Sequence, residues 1–152
     1  PVSEMITGID IIKEQIKIAD DQSLEIEQKD IVLNGHAIEC RLNAEDPENG
    51  FMPCPGTITY YRPPGGFGIR MDSHLESGYK IPPYYDSMIG KLICWGYDRN
   101  EAIIRMTRAL SEMKVQGVKT TAKFHSKLIN SEQFKSGDFN TVFVASLLEK
   151  KR

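Results

Sequence analysis

Arg41 and Glu39 lie two positions apart in GHAIECRLNAEDP, Gly35 to Pro47, and that spacing gives the chain its first chemical candidate. Read as a strand, the segment sends His36, Ile38, Cys40 and Leu42 to one face and Ala37, Glu39, Arg41 and Asn43 to the other. The first set is core-like, the second polar. A guanidinium mounted on rigid backbone is a permanently charged fork that suits a bicarbonate, phosphate, carboxylate or enolate oxygen, with Glu39 orienting it or balancing its charge. The same pattern also describes an exposed ion pair contributing roughly 0 to 1 kcal/mol. A second candidate pair is Asp86 and Lys91 in IPPYYDSMIGKLICW, where Lys91 interrupts a nearly continuous apolar run from Met88 to Trp95. Such a run fits a strand buried on both sides, and its lysine needs a partner or a route to solvent. In one reading Asp86 and Lys91 pair at a cleft and position Arg41 or a substrate oxygen. In the other, Lys91 reaches solvent by itself and Asp86 caps the turn at Tyr85.

Other chemistry-bearing residue types do not assemble. Gly65-Gly66-Phe67-Gly68 is followed by no helix pattern and has no Gly-Lys-Ser/Thr ending, so it describes a hairpin turn rather than a phosphate loop. An aromatic beside an arginine, Phe67 and Arg70, suits an interface chemically, and a locally packed Phe fits the same residues. Cys40, Cys54 and Cys94 are odd in number and far apart, which gives neither a disulfide framework nor a zinc site. Cys40 and Cys94 fall inside apolar strand patterns, as buried inert thiols do, and such cysteine usage points to a reducing cytoplasm. His36, His74 and His125 do not cluster, no His-Glu motif occurs, and no serine sits in a nucleophile elbow. Metal binding is not expected of this chain alone.

The elements that must position these residues are mixed in type. Thr7 to Asp10 has the form of a capping box, opening a helix in which Ile9, Ile12, Ile16 and Ala19 share a face and which ends near Asp20-Asp21. The polar stretch up to Asp30 sets this helix apart, so residues 1–30 read as one unit and 31–152 as another. From Ile31 strands predominate: Ile31 to Leu33, the Asn34-Gly35 turn and the Arg41 strand form a hairpin. Thr57 to Tyr61 and Gly68 to Asp72 follow between Pro- and Gly-rich turns, at a spacing that fits an antiparallel sheet. Asp98 to Glu101 is a second capping box, for a helix through Met113 with Ala102, Met106, Ala109 or Leu110, and Met113 inward and Gly117 closing it. Thr120-Thr121 opens a third helix, and Phe139 to Leu148 packs back on the sheet before a basic tail, Lys150 to Arg152, that frays. The fold class is α+β, an antiparallel β-sheet with flanking helices.

Bulk properties narrow the function further. At 152 residues the chain can bury one sizeable core, and its net charge of -2 with Lys+Arg 19 against Asp+Glu 21 carries no polyelectrolyte signature. A nucleic-acid partner is not expected. No apolar run approaches the roughly 20 residues of a membrane span, and the N-terminus has no signal-peptide layout, so neither a membrane nor export is expected.

The motifs together resemble the C-terminal domain of biotin carboxylase, a family of biotin-dependent ATP-grasp enzymes. GHAIECRLNAEDP carries the resemblance most specifically, and PVSEMITGIDIIKEQ, PGGFGIR and IPPYYDSMIGKLI keep the family's order, so it covers nearly the whole chain. It implies that residues 1–30 are the tail of an ATP-grasp region, cut just after the catalytic cluster, and that 31–152 form the C-terminal domain. The family uses ATP, with magnesium or manganese, to activate bicarbonate as carboxyphosphate, then carboxylates the ureido nitrogen of biotin. The resemblance implies that Arg41 stabilises the ureido oxyanion and contacts bicarbonate, supported by Glu39, Asp86 and Lys91. It places Phe67 and Arg70 near a homodimer contact. The implied partners are the ATP-grasp and N-terminal portion of the same enzyme, a biotin carboxyl carrier protein or domain, and a carboxyltransferase using acetyl-CoA, propionyl-CoA, pyruvate or another acceptor. ATP, metal and biotin belong to the complete enzyme and none to this chain alone. The alternatives are a non-catalytic dimerisation or scaffold module, in which Arg41 has no chemical task, and an independent small enzyme, disfavoured because no complete constellation of catalytic groups is present.

Overall fold

The apolar run from Met88 onward becomes the central strand, because only a strand covered on both faces can use so many consecutive apolar residues. The computed structural model describes residues 1–149, and the basic tail Lys150 to Arg152 lies outside them. Two short helices come first, α1 (Val2–Thr7) and α2 (Ile11–Ala19). Strands β1 (His36–Asn43), β2 (Glu45–Asp46), β3 (Met52–Pro53), β4 (Gly56–Thr57), β5 (Tyr60–Arg62), β6 (Ile69–Ser73), β7 (Lys80–Ile81) and β8 (Met88–Gly96) follow. Helix α3 (Arg99–Glu112), strand β9 (Lys114–Gln116) and helices α4 (Ala122–Ile129), α5 (Glu132–Ser136) and α6 (Phe143–Glu149) complete the chain. The main sheet has the order β1-β8-β6, and three two-stranded pairs, β2-β3, β4-β7 and β5-β9, surround it. All pairings are antiparallel, so the α+β expectation holds.

The core lies between one face of this sheet and α3. Ile38, Cys40 and Leu42 of β1 and Leu92 and Cys94 of β8 meet Ala102, Ile103, Met106, Ala109 and Leu110 of the helix. Asp98 caps α3 by accepting from Glu101 N at 2.8 Å, while the Glu101 carboxylate accepts from Tyr97 N at 2.7 Å. Burial pushes the thiols of Cys40 and Cys94 up to about 12, so both are inert at neutral pH.

Several boundaries differ from the sequence reading. Thr7 ends a helix instead of opening one: its Oγ1 donates back to Ser3 O at 2.6 Å, and Asp10 is the residue that caps α2, accepting from Lys13 N at 2.9 Å. Residues 31–34 form no strand, so the expected hairpin is absent and β1 pairs with β8 instead. There Asn34 O accepts from the Trp95 indole at 2.8 Å, and Gly35, at φ 71, passes so close that a Cβ would lie 2.3 Å from Gly96 O. Helix α3 stops at Glu112 with Met113 already extended, and Gly117 follows β9 rather than capping the helix. Phe143 of α6 and Phe139 stack toward Phe134 of α5 and Arg99, over the start of α3 rather than on the sheet.

Candidate active site

Period-two alternation leaves the second face of the main sheet to charged residues. Register places Arg41 of β1 opposite Lys91 of β8, with Asp72 of β6 on its far side, and Glu39 opposite Ile93, with Arg70 beyond. Helix α1 crosses this face. At one end Pro1 N lies 3.2 Å from Glu39 Oε2, and at the other Glu4 Oε2 lies 2.6 Å from Arg70 Nη1. The helix thus spans from β1 to β6 above Ile93, which is fully buried.

Arg41 projects from this surface with a side chain 71% exposed, and among the described residues its one side-chain partner is Glu39, at 3.3 Å from Nε. Glu39 is 16% exposed and touches both Arg41 and Pro1, so Arg41 stands beside the first residue of the chain. Arg70 is differently used: it grips Asp72 through two bonds of 2.8 Å and Glu4 through a third. These contacts keep Arg70 charged and hold the Glu4 carboxyl below its usual range. Phe67 is 71% exposed, its ring edge-on to Trp95 at 5.9 Å and under the Arg105 guanidinium at 5.0 Å. Gly68 makes this approach feasible: at φ 74, a Cβ there would sit 2.7 Å from Trp95 O.

Asp86 and Lys91 are not brought together. Asp86 Oδ1 accepts from Met88 N at 2.7 Å, capping the entrance to β8, because the turn before the strand leaves that amide without a ladder partner. Lys91 is half-buried, and among the described residues it has no ion-pair partner, since the carboxylate opposite it, Asp72, is held by Arg70 and the cation on its other side is Arg41. The turn is fixed instead by Ser87, whose hydroxyl donates to Glu45 Oε1, with Asn43 Nδ2 donating to the same oxygen at 2.9 Å.

The antiparallel sheet backed by one long helix agrees with what similar proteins show. Residues 39–146 match the family described as biotin carboxylase C-terminal domain. The chain belongs to that family. The match opens at Glu39 and takes in Arg41, Phe67, Arg70, Asp86 and Lys91. Biotin carboxylase 1 of Bacillus subtilis is 57% identical over 144 residues, which cover 95% of this chain and 32% of the relative. The biotin carboxylase of a Nostoc species is 54% identical over 147 residues, which cover 97% of this chain and 33% of its own length. Among solved structures, the biotin carboxylase domain dimer of Hydrogenobacter thermophilus 2-oxoglutarate carboxylase, in complex with MgADP, ADP and bicarbonate, matches at TM-score 0.94 and 48% identity, over 96% of this chain and 32% of that one. The chain spans about a third of the length of the relatives it matches.

Two residues of this biotin carboxylase C-terminal domain that the sequence reading did not select hold the backbone of Arg41. Thr121 Oγ1 donates to Arg41 O at 3.3 Å, and His125 Nε2 lies 2.7 Å from the same oxygen. They are 80 and 84 residues away in sequence, so no local pattern announces them. A cavity of about 590 Å³ opens between α4 and the Asp46 to Glu48 turn, lined by Lys119, Lys123 and Phe124 among others, and none of the selected residues lines it. Arg41 stands on an open face instead. No group of three or more His, Cys, Asp or Glu among the described residues could hold a metal ion, and no helix among them is long and apolar enough to cross a membrane.

Proposed function

We propose that this chain is the C-terminal part of an ATP-dependent biotin carboxylase, in which Arg41 stabilises the biotin ureido oxyanion and contacts bicarbonate. The observation that carries the reading is the position of Arg41: exposed, on a rigid strand, and paired with Glu39 on the charged face that α1 crosses. When the ureido nitrogen loses its proton, negative charge gathers on the ureido oxygen. A fixed guanidinium beside it stabilises charge that exists chiefly in the transition state. Glu39 sets the guanidinium's orientation, Lys91 adds positive potential one strand away, and Asp86 shapes the turn leading into that strand.

ATP and its magnesium or manganese ion are assigned to the rest of the enzyme, since no group of three or more His, Cys, Asp or Glu among the described residues could hold a metal ion. Residues 1–30 form the tail of its ATP-grasp region and 31–152 the C-terminal domain. That division is supported by α2, whose Ile12, Ile16 and Ile18 are exposed and await a covering surface. Biotin arrives on a carrier protein or domain, and a carboxyltransferase takes the carboxyl group onward. The exposed Phe67, with Arg70 beneath the same turn, serves a homodimer contact, in keeping with the dimeric Hydrogenobacter thermophilus relative. The unpaired cysteines suit a reducing cytoplasm.

The test is ATP cleavage dependent on both bicarbonate and biotin in the full-length enzyme. Arg41→Ala is expected to lower that rate by about 10² to 10³, the usual cost of losing one oxyanion-stabilising donor. An unchanged rate would leave the chain as a dimerisation or scaffold module.

A further inference from the structure

We infer that His125 is a positioning residue for Arg41, acting through the Arg41 carbonyl; this rests on the biotin carboxylase reading of the same site. Strand β1 is an edge strand, so the backbone groups on its outer side have no strand partner. The first turn of α4 takes the place of that missing strand. Thr121 N donates to Asn43 O at 3.0 Å, and Thr121 Oγ1 accepts from Asn43 N at 3.0 Å while donating to Arg41 O at 3.3 Å. His125, one turn further on, makes the shorter bond to Arg41 O, at 2.7 Å. A carbonyl only accepts, so Nε2 of this imidazole carries the proton.

The support falls where the sheet is weakest. The register with β8 shifts between Leu42 and Asn43, immediately after Arg41. At its outer end, among the described residues, Arg41 has only Glu39 at 3.3 Å to fix a long and mostly exposed side chain. The guanidinium's place is therefore set by that one bond together with the backbone from which the side chain springs. Tilting that peptide plane swings the far end of the side chain by more than it moves the Cα, and a stabilising charge works only when aimed at the reacting oxygen.

The experiment compares His125→Leu, which removes the donor, with His125→Gln, which keeps a donor at the reach of Nε2, both in the full-length enzyme. His125→Leu is expected to lower kcat for biotin-dependent ATP cleavage about tenfold with KM for ATP and bicarbonate unchanged, and His125→Gln to restore most of it. With selectively ¹⁵N-labelled arginine, relaxation of the Arg41 Nε–H is expected to show a lower order parameter in the leucine variant and a restored one in the glutamine variant. Equal losses in both variants, following their unfolding temperatures, would make His125 a packing residue and overturn the inference. So would an Arg41 order parameter indifferent to the leucine substitution. If the parent enzyme shows no biotin-dependent cleavage, the biotin carboxylase reading fails, and the relaxation comparison still decides whether His125 orders Arg41.

Discussion

The two faces of the β1-β8-β6 sheet are built from the same strands and do opposite work. On one, Ile38, Cys40, Leu42, Leu92 and Cys94 are almost wholly removed from water against α3. On the other, Glu39, Arg41, Lys91, Arg70 and Asp72 form a charged surface that the short helix α1 crosses. The packed face holds the strands rigid, so that the polar face can present a charge without packing around it. Stability should depend on the first face and chemistry on the second.

Breaking the packed face gives the largest effect. Leu92 is fully buried at the centre of β8, and Leu92→Ala is expected to cost about 2 to 5 kcal/mol of stability, read as a fall in the denaturant midpoint. Arg41→Ala tests the opposite expectation: its exposed pair with Glu39 stabilises the fold by less than about 1 kcal/mol, so the unfolding midpoint should hardly move while carboxylation is lost. Arg41→Lys sharpens the contrast. It keeps the charge but not the planar fork, and is expected to recover only part of the rate, measured in the same assay. Should Arg41→Ala unfold the protein as Leu92→Ala does, the division of labour between the faces is wrong.

Helix α1 is the exception that joins the faces' roles, since it packs over Ile93 and is held by Glu4 and Arg70. Arg70→Ala removes a guanidinium that makes three carboxylate bonds, leaving Glu4 without its main partner. An expected loss of about 1 kcal/mol should appear as faster amide exchange in α1 and β6, with the α3 amides unaffected. The Glu4 carboxyl is held below its usual value by Arg70, so this contribution is present above about pH 4.5 and is lost as pH falls through the lower folded value.

Much of the packed face was legible in the sequence, because a period of two along Gly35 to Asn43 and an apolar run along Met88 to Gly96 are each local patterns with one physical solution. The Asp98 cap and the inward stripe of α3 were readable for the same reason. What failed were boundaries where two local signals compete. Thr7-Gly8-Ile9-Asp10 has the spacing of a capping box, yet Thr7 is drawn back to Ser3 O, leaving Asp10 to cap alone. Asn34-Gly35 has the form of a hairpin turn, but its task is to clear Trp95, a contact 61 residues distant. Asp86 and Lys91 were readable either as a pair or as a turn cap beside a lysine reaching solvent, and the Met88 amide, which Asp86 accepts from, decides for the cap. The support of Arg41 by Thr121 and His125 left no sequence trace because it is purely tertiary.

The smallest expected effect concerns that support and has a definite sign with pH. Burial lowers the His125 pKa from 6.5, against the opposing influence of its bond to Arg41 O. The unfolded chain therefore binds a proton more readily than the folded one between 6.5 and the lower folded value, and in that window stability rises with pH. The contribution is complete above about 6.5 and is lost as pH falls toward the folded value. His125→Gln keeps a donor for Arg41 O but cannot titrate. The stability of the parent relative to this variant should decline on moving from neutral pH to about 5.5, read from denaturant midpoints at each pH. A parallel pair of curves would mean that His125 is as easily protonated folded as unfolded, and that the edge of β1 is wetter than its contacts with α4 require.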